Sequence, residues 1–282
     1  MLYRNFDTQE QIDAEYDPAR ISDRDGAMER FAQLSAAAVE AMPNWYSRQF
    51  GISDAEYVDI FPSGVAGAPV HIFVHGGYWR ALSARQFAFI AQTLASRGIT
   101  VVLSNYGLCP DVRLGDIVDQ TREAVAWVAR NTSELDIDIN RLTVSGHSAG
   151  GHLVGMLLAT DWTTYGLSKD LIKGAIALSG LFDLGPFPHS WLQSSLHLID
   201  EDVTQFSPLF LPVHTGAKVV LRYGGLEQSE FARQSKTYAD YLTSQGLSVE
   251  CQPLDGADHF TILNPFIGED SEFVRLIQQL SN

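Results

Sequence analysis

The chain has 282 residues, 45% of them hydrophobic, with 34 acidic against 19 basic side chains and a formal net charge of -15. That length suits one large domain or two small ones, and the composition supports a sizeable core, which excludes a wholly disordered chain. The acid excess argues against nucleic acid or an anionic membrane surface as partner, because both need clustered Lys and Arg.

In chain order, the start MLYRNFDTQEQIDAEYD carries no basic-then-apolar signal, and no apolar run approaches a membrane-spanning length. A cytoplasmic protein is the expectation. Residues 8–50 are charged and helix-prone and precede the first expected strand, AEYVDIFP (55–62). Further apolar runs read as buried strands: VHIFVH (70–75), TVVLSNY (100–106), RLTVSG (141–146), IKGAIALSG (172–180), KVVLRYGG (218–225) and SVECQPL (248–254). Between them, residues 84–97, 114–130, 148–160, 229–244 and 271–280 carry helical periodicity. Strands alternating with helices define an α/β fold in one domain, a mostly parallel sheet with helices on both faces. Two stretches break the alternation, residues 8–50 and the Pro- and aromatic-rich residues 182–216, and long excursions of this kind serve as lids or binding loops or, alternatively, as surface packing. Cys109 and Cys251 lie in no metal-like spacing and are expected free and buried.

The segment GHSAGG (146–151) sits between an expected strand and an expected helix, the context of a nucleophile elbow. Gly146 and Gly150 lack the Cβ atoms that would clash as the chain doubles back, and Ser148 is the candidate nucleophile. A serine hydroxyl needs a base and a group that orients the base, and in this arrangement the chain order is serine, acid, histidine. His189, His197 and His214 follow Ser148, but His259, in DGADHF after the last expected strand, is the better placed base. His147 belongs to the elbow, and His152, one helical turn beyond Ser148, reads as a packing residue. The acid should follow KVVLRYGG, where Glu227 is preferred over Glu230, whose place at a helix start is explained by the helix dipole. Asp255 and Asp258 read as loop-capping or solvated. HGGYW (75–79) follows a strand and precedes a helix, so the main-chain amides of Gly77 and Tyr78, with that of Ala149, are the candidate oxyanion donors. Besides Tyr78, the aromatics Trp79, Phe182, Trp191 and Phe260 fall near expected sheet-edge loops and are candidates for an aromatic substrate slot.

With HGGYW, GHSAGG and GADHF in that order, the chain resembles an α/β-hydrolase, and within that superfamily the arylformamidase, or kynurenine formamidase, branch. EYDPARISD (15–23), DIFPSG (59–64) and EFARQS (230–235) agree, so the resemblance spans nearly the whole chain. It implies a triad of Ser148, Glu227 and His259, with glutamate where the branch usually has aspartate, and cleavage of N-formyl-L-kynurenine to L-kynurenine and formate in tryptophan breakdown. A general short-chain carboxylesterase or amidase is the alternative, and a non-catalytic ligand-binding scaffold, an acyltransferase or a lyase are further ones. The expected partner is a small aryl amide or ester substrate. No cofactor or metal is called for, nucleic acid and membrane are not expected as partners, and the sequence allows a homodimer.

Overall fold

In the computed structural model, which describes residues 1–268 and 271–281, the apolar runs assemble into one eight-stranded sheet. Its strands are β1 (Tyr46–Gln49), β2 (Tyr57–Phe61), β3 (Ala68–Val74), β4 (Thr100–Ser104), β5 (Ile137–His147), β6 (Gly174–Leu178), β7 (Lys218–Gly224) and β8 (Val249–Leu254). The spatial order is β1-β2-β4-β3-β5-β6-β7-β8. From β4 to β8 all pairings are parallel, and only the two at the β1 end are antiparallel.

The strands in the middle of the sheet are buried on both faces, so their residues alternate between two cores rather than between core and solvent. Val70, Ile72, Val102 and Val144 point to one side, against Val125 and Val128 of helix Leu114–Arg130 and Val154 and Leu157 of helix Ala149–Leu158. Phe73, Val101, Leu103 and Ile176 point to the other, against Ile90 and Leu94 of helix Phe89–Ser96 and Phe273 and Ile277 of helix Glu272–Leu280. All ten residues of Ala149–Leu158 are buried, which explains why this helix reads apolar all round. A third apolar cluster lies where the N-terminal segment meets the chain between β6 and β7, with Ile12, Tyr16, Trp79, Phe187 and Phe231 among its members.

The expected elements recur with three adjustments. The stretch 84–97 splits into a 3-10 turn, Ala84–Phe87, and the helix Phe89–Ser96. Residues 8–50 form the helices Gln9–Tyr16 and Arg24–Ala41, but they end in the edge strand β1, whose four residues are half-buried or exposed and so carry little apolar signal. Residues 182–216 fold into short helical turns, the longest being Asp200–Phe206. Both cysteines are free, but only Cys109 is buried, since Cys251 on the outer strand β8 is half-buried. No helix among the described residues is long and apolar enough to cross a membrane.

Candidate active site

Strand β5 runs straight into the helix Ala149–Leu158 with Ser148 alone between them, at φ 56° and ψ -118°. A non-glycine residue there is strained, and the surroundings hold it. The Ser148 N–H donates to the Leu178 carbonyl at 2.8 Å. The flanking glycines are required by space rather than by φ: a Cβ on Gly146 would lie 2.2 Å from the Gly150 carbonyl oxygen, and one on Gly150 would lie 2.0 Å from that of Val74. The turn therefore presents the serine at the carboxyl edge of the parallel strands, where β6, β7 and β8 also deliver their loops.

His259 Nε2 lies 3.1 Å from Ser148 Oγ, and its Nδ1 lies 2.5 Å from Glu227 Oε1. The other Glu227 oxygen accepts the Gly224 N–H at 2.6 Å and the Ser179 hydroxyl at 2.9 Å. A carboxylate that accepts three donors in this way is fixed in orientation, and it places the imidazole proton on Nδ1, leaving Nε2 as an acceptor toward the serine. His259 is held from three further sides. The His147 Nε2–H donates to its carbonyl at 2.7 Å, the Phe231 ring lies 4.7 Å away, and Asp258 ties down the loop by accepting from the N–H groups of Phe260 and Thr261. Burial, and then the neighbouring His259, push His147 well below the usual histidine range, so it stays a neutral donor.

Glu230 is occupied elsewhere. It pairs with Arg233 through two contacts of 2.7 Å and accepts the Tyr16 hydroxyl at 2.6 Å. Asp255 is exposed and Asp258 caps its own loop. His189 and His197 are exposed and His214 is half-buried, and none of the three borders the cavity at Ser148.

That cavity has a volume of about 410 Å³. Ser148, His259 and His147 lie on it, with Gly77 and Tyr78 beside them and Phe31, Met28, Leu82, Phe87, Trp191 and Phe260 as its apolar wall. Gly77 adopts φ 117° and a Cβ there would strike the Ala81 carbonyl oxygen at 2.1 Å, while Tyr78 follows at φ 50°. The main-chain N–H groups of Gly77, Tyr78 and Ala149 donate to no protein acceptor among the described residues. Such free amides at a strained turn and at a helix start suit a developing negative charge.

Two of the four aromatics expected in a substrate slot border this cavity, Trp191 and Phe260. Trp79 and Phe182 do not, because each finds a better partner in the core. Trp79 is fully buried and donates its indole N–H to His152 Nδ1 at 3.1 Å, while Phe182 stacks on Tyr238 at 4.1 Å. His152 in turn donates to the Phe206 carbonyl, and burial lowers it to about 4, so it is a neutral packing partner.

The sequence reading missed Ser179 and most of the N-terminal wall. Ser179 stands at φ 49° just past β6, and its place at the end of a sheet-edge strand was the available signal. Asp17, Pro18, Ala19, Arg24 and Asp25 also border the cavity, inside the EYDPARISD stretch and just after it.

The parallel sheet, the strained serine after β5 and the histidine and glutamate after β8 and β7 define an α/β-hydrolase. Comparison with known proteins agrees: the BD-FAE family model matches residues 58–178. Kynurenine formamidase of Salmo salar is 30% identical over 82% of this chain and 80% of its own length, and that of Danio rerio is 29% identical over 97% and 96%. The crystal structure of a candidate thioesterase from a Silicibacter species superposes with a TM-score of 0.84 at 25% identity, covering 95% of this chain and 99% of that one. The chain belongs to the kynurenine formamidase family. It is a hydrolase of the arylformamidase-like or carboxylesterase kind.

Proposed function

We propose that the protein hydrolyses N-formyl-L-kynurenine to L-kynurenine and formate, with Ser148, His259 and Glu227 as a catalytic triad. One observation carries the reading: the unbroken run of contacts from Ser148 Oγ through His259 to Glu227, at a cavity whose wall includes Phe31, Tyr78, Phe87, Trp191 and Phe260. The relatives named kynurenine formamidase suggest the substrate.

His259 Nε2 takes the hydroxyl proton as Ser148 Oγ attacks the formyl carbon. Glu227 holds the imidazole in that tautomer and offsets the charge that the proton brings. The carbonyl oxygen becomes an oxyanion, assigned to the amides of Gly77, Tyr78 and Ala149, where one lost donor costs ~3 kcal/mol. His259 then returns the proton to the aryl nitrogen as the C–N bond breaks, releasing L-kynurenine and leaving a formyl ester on Ser148. Water, deprotonated by the same imidazole, cleaves that ester to formate. A formyl carbon bears only hydrogen, so the acyl side needs little space beside Tyr78, while Trp191 and Phe260 flank the aryl side.

Ser148→Ala should fold normally and lose about 10⁶-fold in kcat on N-formyl-L-kynurenine, and unchanged turnover would overturn the reading. Activity should persist in excess chelator. A broader short-chain ester or amide specificity is the second reading, favoured by the likeness to the Silicibacter candidate thioesterase over 95% of this chain. Values of kcat/KM on N-formyl-L-kynurenine, an aryl acetate and a simple anilide separate the two.

A further inference from the structure

Resting on the formamidase reading, we infer that Arg80 forms a subsite for a carboxylate carried by the leaving group, away from the scissile bond. Four charged residues of the cavity rim bear on this, Asp17, Arg24, Asp25 and Arg80. Three of them are already matched. Arg24 pairs with Asp25 at 3.0 Å, and Asp17 pairs with Arg20 at 3.7 Å while accepting the Ala19 N–H at 3.2 Å. Arg80 has no carboxylate within ion-pair distance among the described residues, in a chain where 34 acids face 19 bases. Its guanidinium instead lies 5.3 Å from the centre of the Trp191 ring, on the same cavity.

A cation over a ring in this way spends no N–H donor on a carboxylate, so the guanidinium keeps its forked N–H donors for an acceptor of carboxylate shape. The turn holding Arg80 is the one that brings Gly77 and Tyr78 to the serine, since the Arg80 N–H donates to the Gly77 carbonyl at 3.1 Å. The backbone that carries the cation is therefore fixed in register with the reacting centre. A substrate that places its aryl ring against Trp191 and Phe260 would bring an amino-acid side arm to this fork.

The test compares N-formyl-L-kynurenine with its α-carboxamide, which removes the negative charge and keeps the size. Wild type should favour the carboxylate. In Arg80→Gln the ratio of kcat/KM for carboxylate over carboxamide should fall by about 10- to 100-fold, mainly through KM, because the interaction lost is a charged hydrogen-bond pair. Arg80→Lys should keep the charge preference in part and lose the forked contact. An unchanged ratio in Arg80→Gln, or a wild type indifferent to the carboxylate, overturns the subsite. If wild type cleaves neither formamide, the formamidase reading fails, and the same ratio measured on an aryl acetate bearing a carboxylate or a carboxamide then decides Arg80 by itself.

Discussion

The loops that carry Ser148, Glu227 and His259 and the segment of residues 17–31 border one cavity, yet they are specified in different ways. Each side chain of the proposed triad stands within a few residues of a strand end and is fixed by its own turn: Gly146 and Gly150 shape the elbow, the Gly224 N–H orients Glu227, and Asp258 caps the loop of His259. The N-terminal wall has local caps, Asp17 accepting the Ala19 N–H and Asp23 that of Gly26, but its place against the cavity is set from far along the chain. Tyr16 is anchored by Glu230, Glu15 accepts from Ser229 and from the Glu230 N–H at the start of helix Ser229–Ser244, and the Gln228 amide donates to the carbonyl of Asp17. The proposed chemistry is thus encoded in short turns at strand ends, and the N-terminal side of the pocket in contacts spanning more than 200 residues.

The two glutamates test this division most sharply, since one serves each region. Glu227→Gln should lower kcat by roughly 10⁴-fold with little change in stability, because the amide cannot hold the required imidazole tautomer. Glu230→Gln should keep kcat within about tenfold of wild type. It leaves half-buried Arg233 without its carboxylate at a buried position, however, so it should cost ~3 kcal/mol in urea denaturation. The reverse pattern would transfer the acid role to Glu230.

Acid should act on the sheet side of the comparison. His71, His75, His147 and His152 are buried on β3, after it, and at the elbow and its helix, and residues 1–31 contain no histidine. Burial lowers His71 to about 3 and both His75 and His152 to about 4, and it holds His147 well below its usual range. Below pH ~6.5 the unfolded chain takes up protons at these positions while the folded protein does not, so stability falls as pH drops from about 6.5 toward 4. Thermal melts of Ser148→Ala should show the same acid loss as wild type. A Tm that stays flat over that window would show that these rings are not held neutral.

The juxtaposition of Ser148, His259 and Glu227 was legible because its signals are local. An apolar run ending in GHSAGG states both a strand and the sharp turn that follows it, and HGGYW places a strained loop next to it in the fold. Glu227 could be preferred over Glu230 because it follows the end of β7 directly, while the helix dipole accounts for Glu230 at the start of the next helix. What stayed hidden depended on which of several aromatics a third cluster would absorb. Trp79 stands beside Tyr78 in sequence, but its indole N–H finds His152 and its ring joins the core, while Tyr78 keeps an edge on the cavity. Phe182 is likewise drawn to Tyr238, a partner 56 positions on that no local pattern announces. The strand β1 and the individual wall residues within 17–31 escaped for the same reason, being defined by what they pack against, although residues 8–50 as a whole read as a lid or binding loop.

Tyr78 joins the two regions, and the smallest of these effects falls on it. Its amide is assigned to the oxyanion, its backbone sits at φ 50°, and its hydroxyl donates to the Tyr16 carbonyl at the end of helix Gln9–Tyr16. Burial, and then the nearby Asp17 and Glu227, hold that phenol well above its usual range, so it remains a donor at any working pH. Tyr78→Phe keeps the ring among Trp191, Phe187 and Trp79 but strands the Tyr16 carbonyl and frees the loop from the N-terminal helix. If that hydrogen bond helps to hold the strained amide in place, kcat should fall by about tenfold, the scale of one buried hydrogen bond, while KM changes little because the aromatic surface is intact. A matched rise in KM with kcat unchanged would make the hydroxyl part of the pocket's shape alone, and would leave the oxyanion loop specified by its own turn.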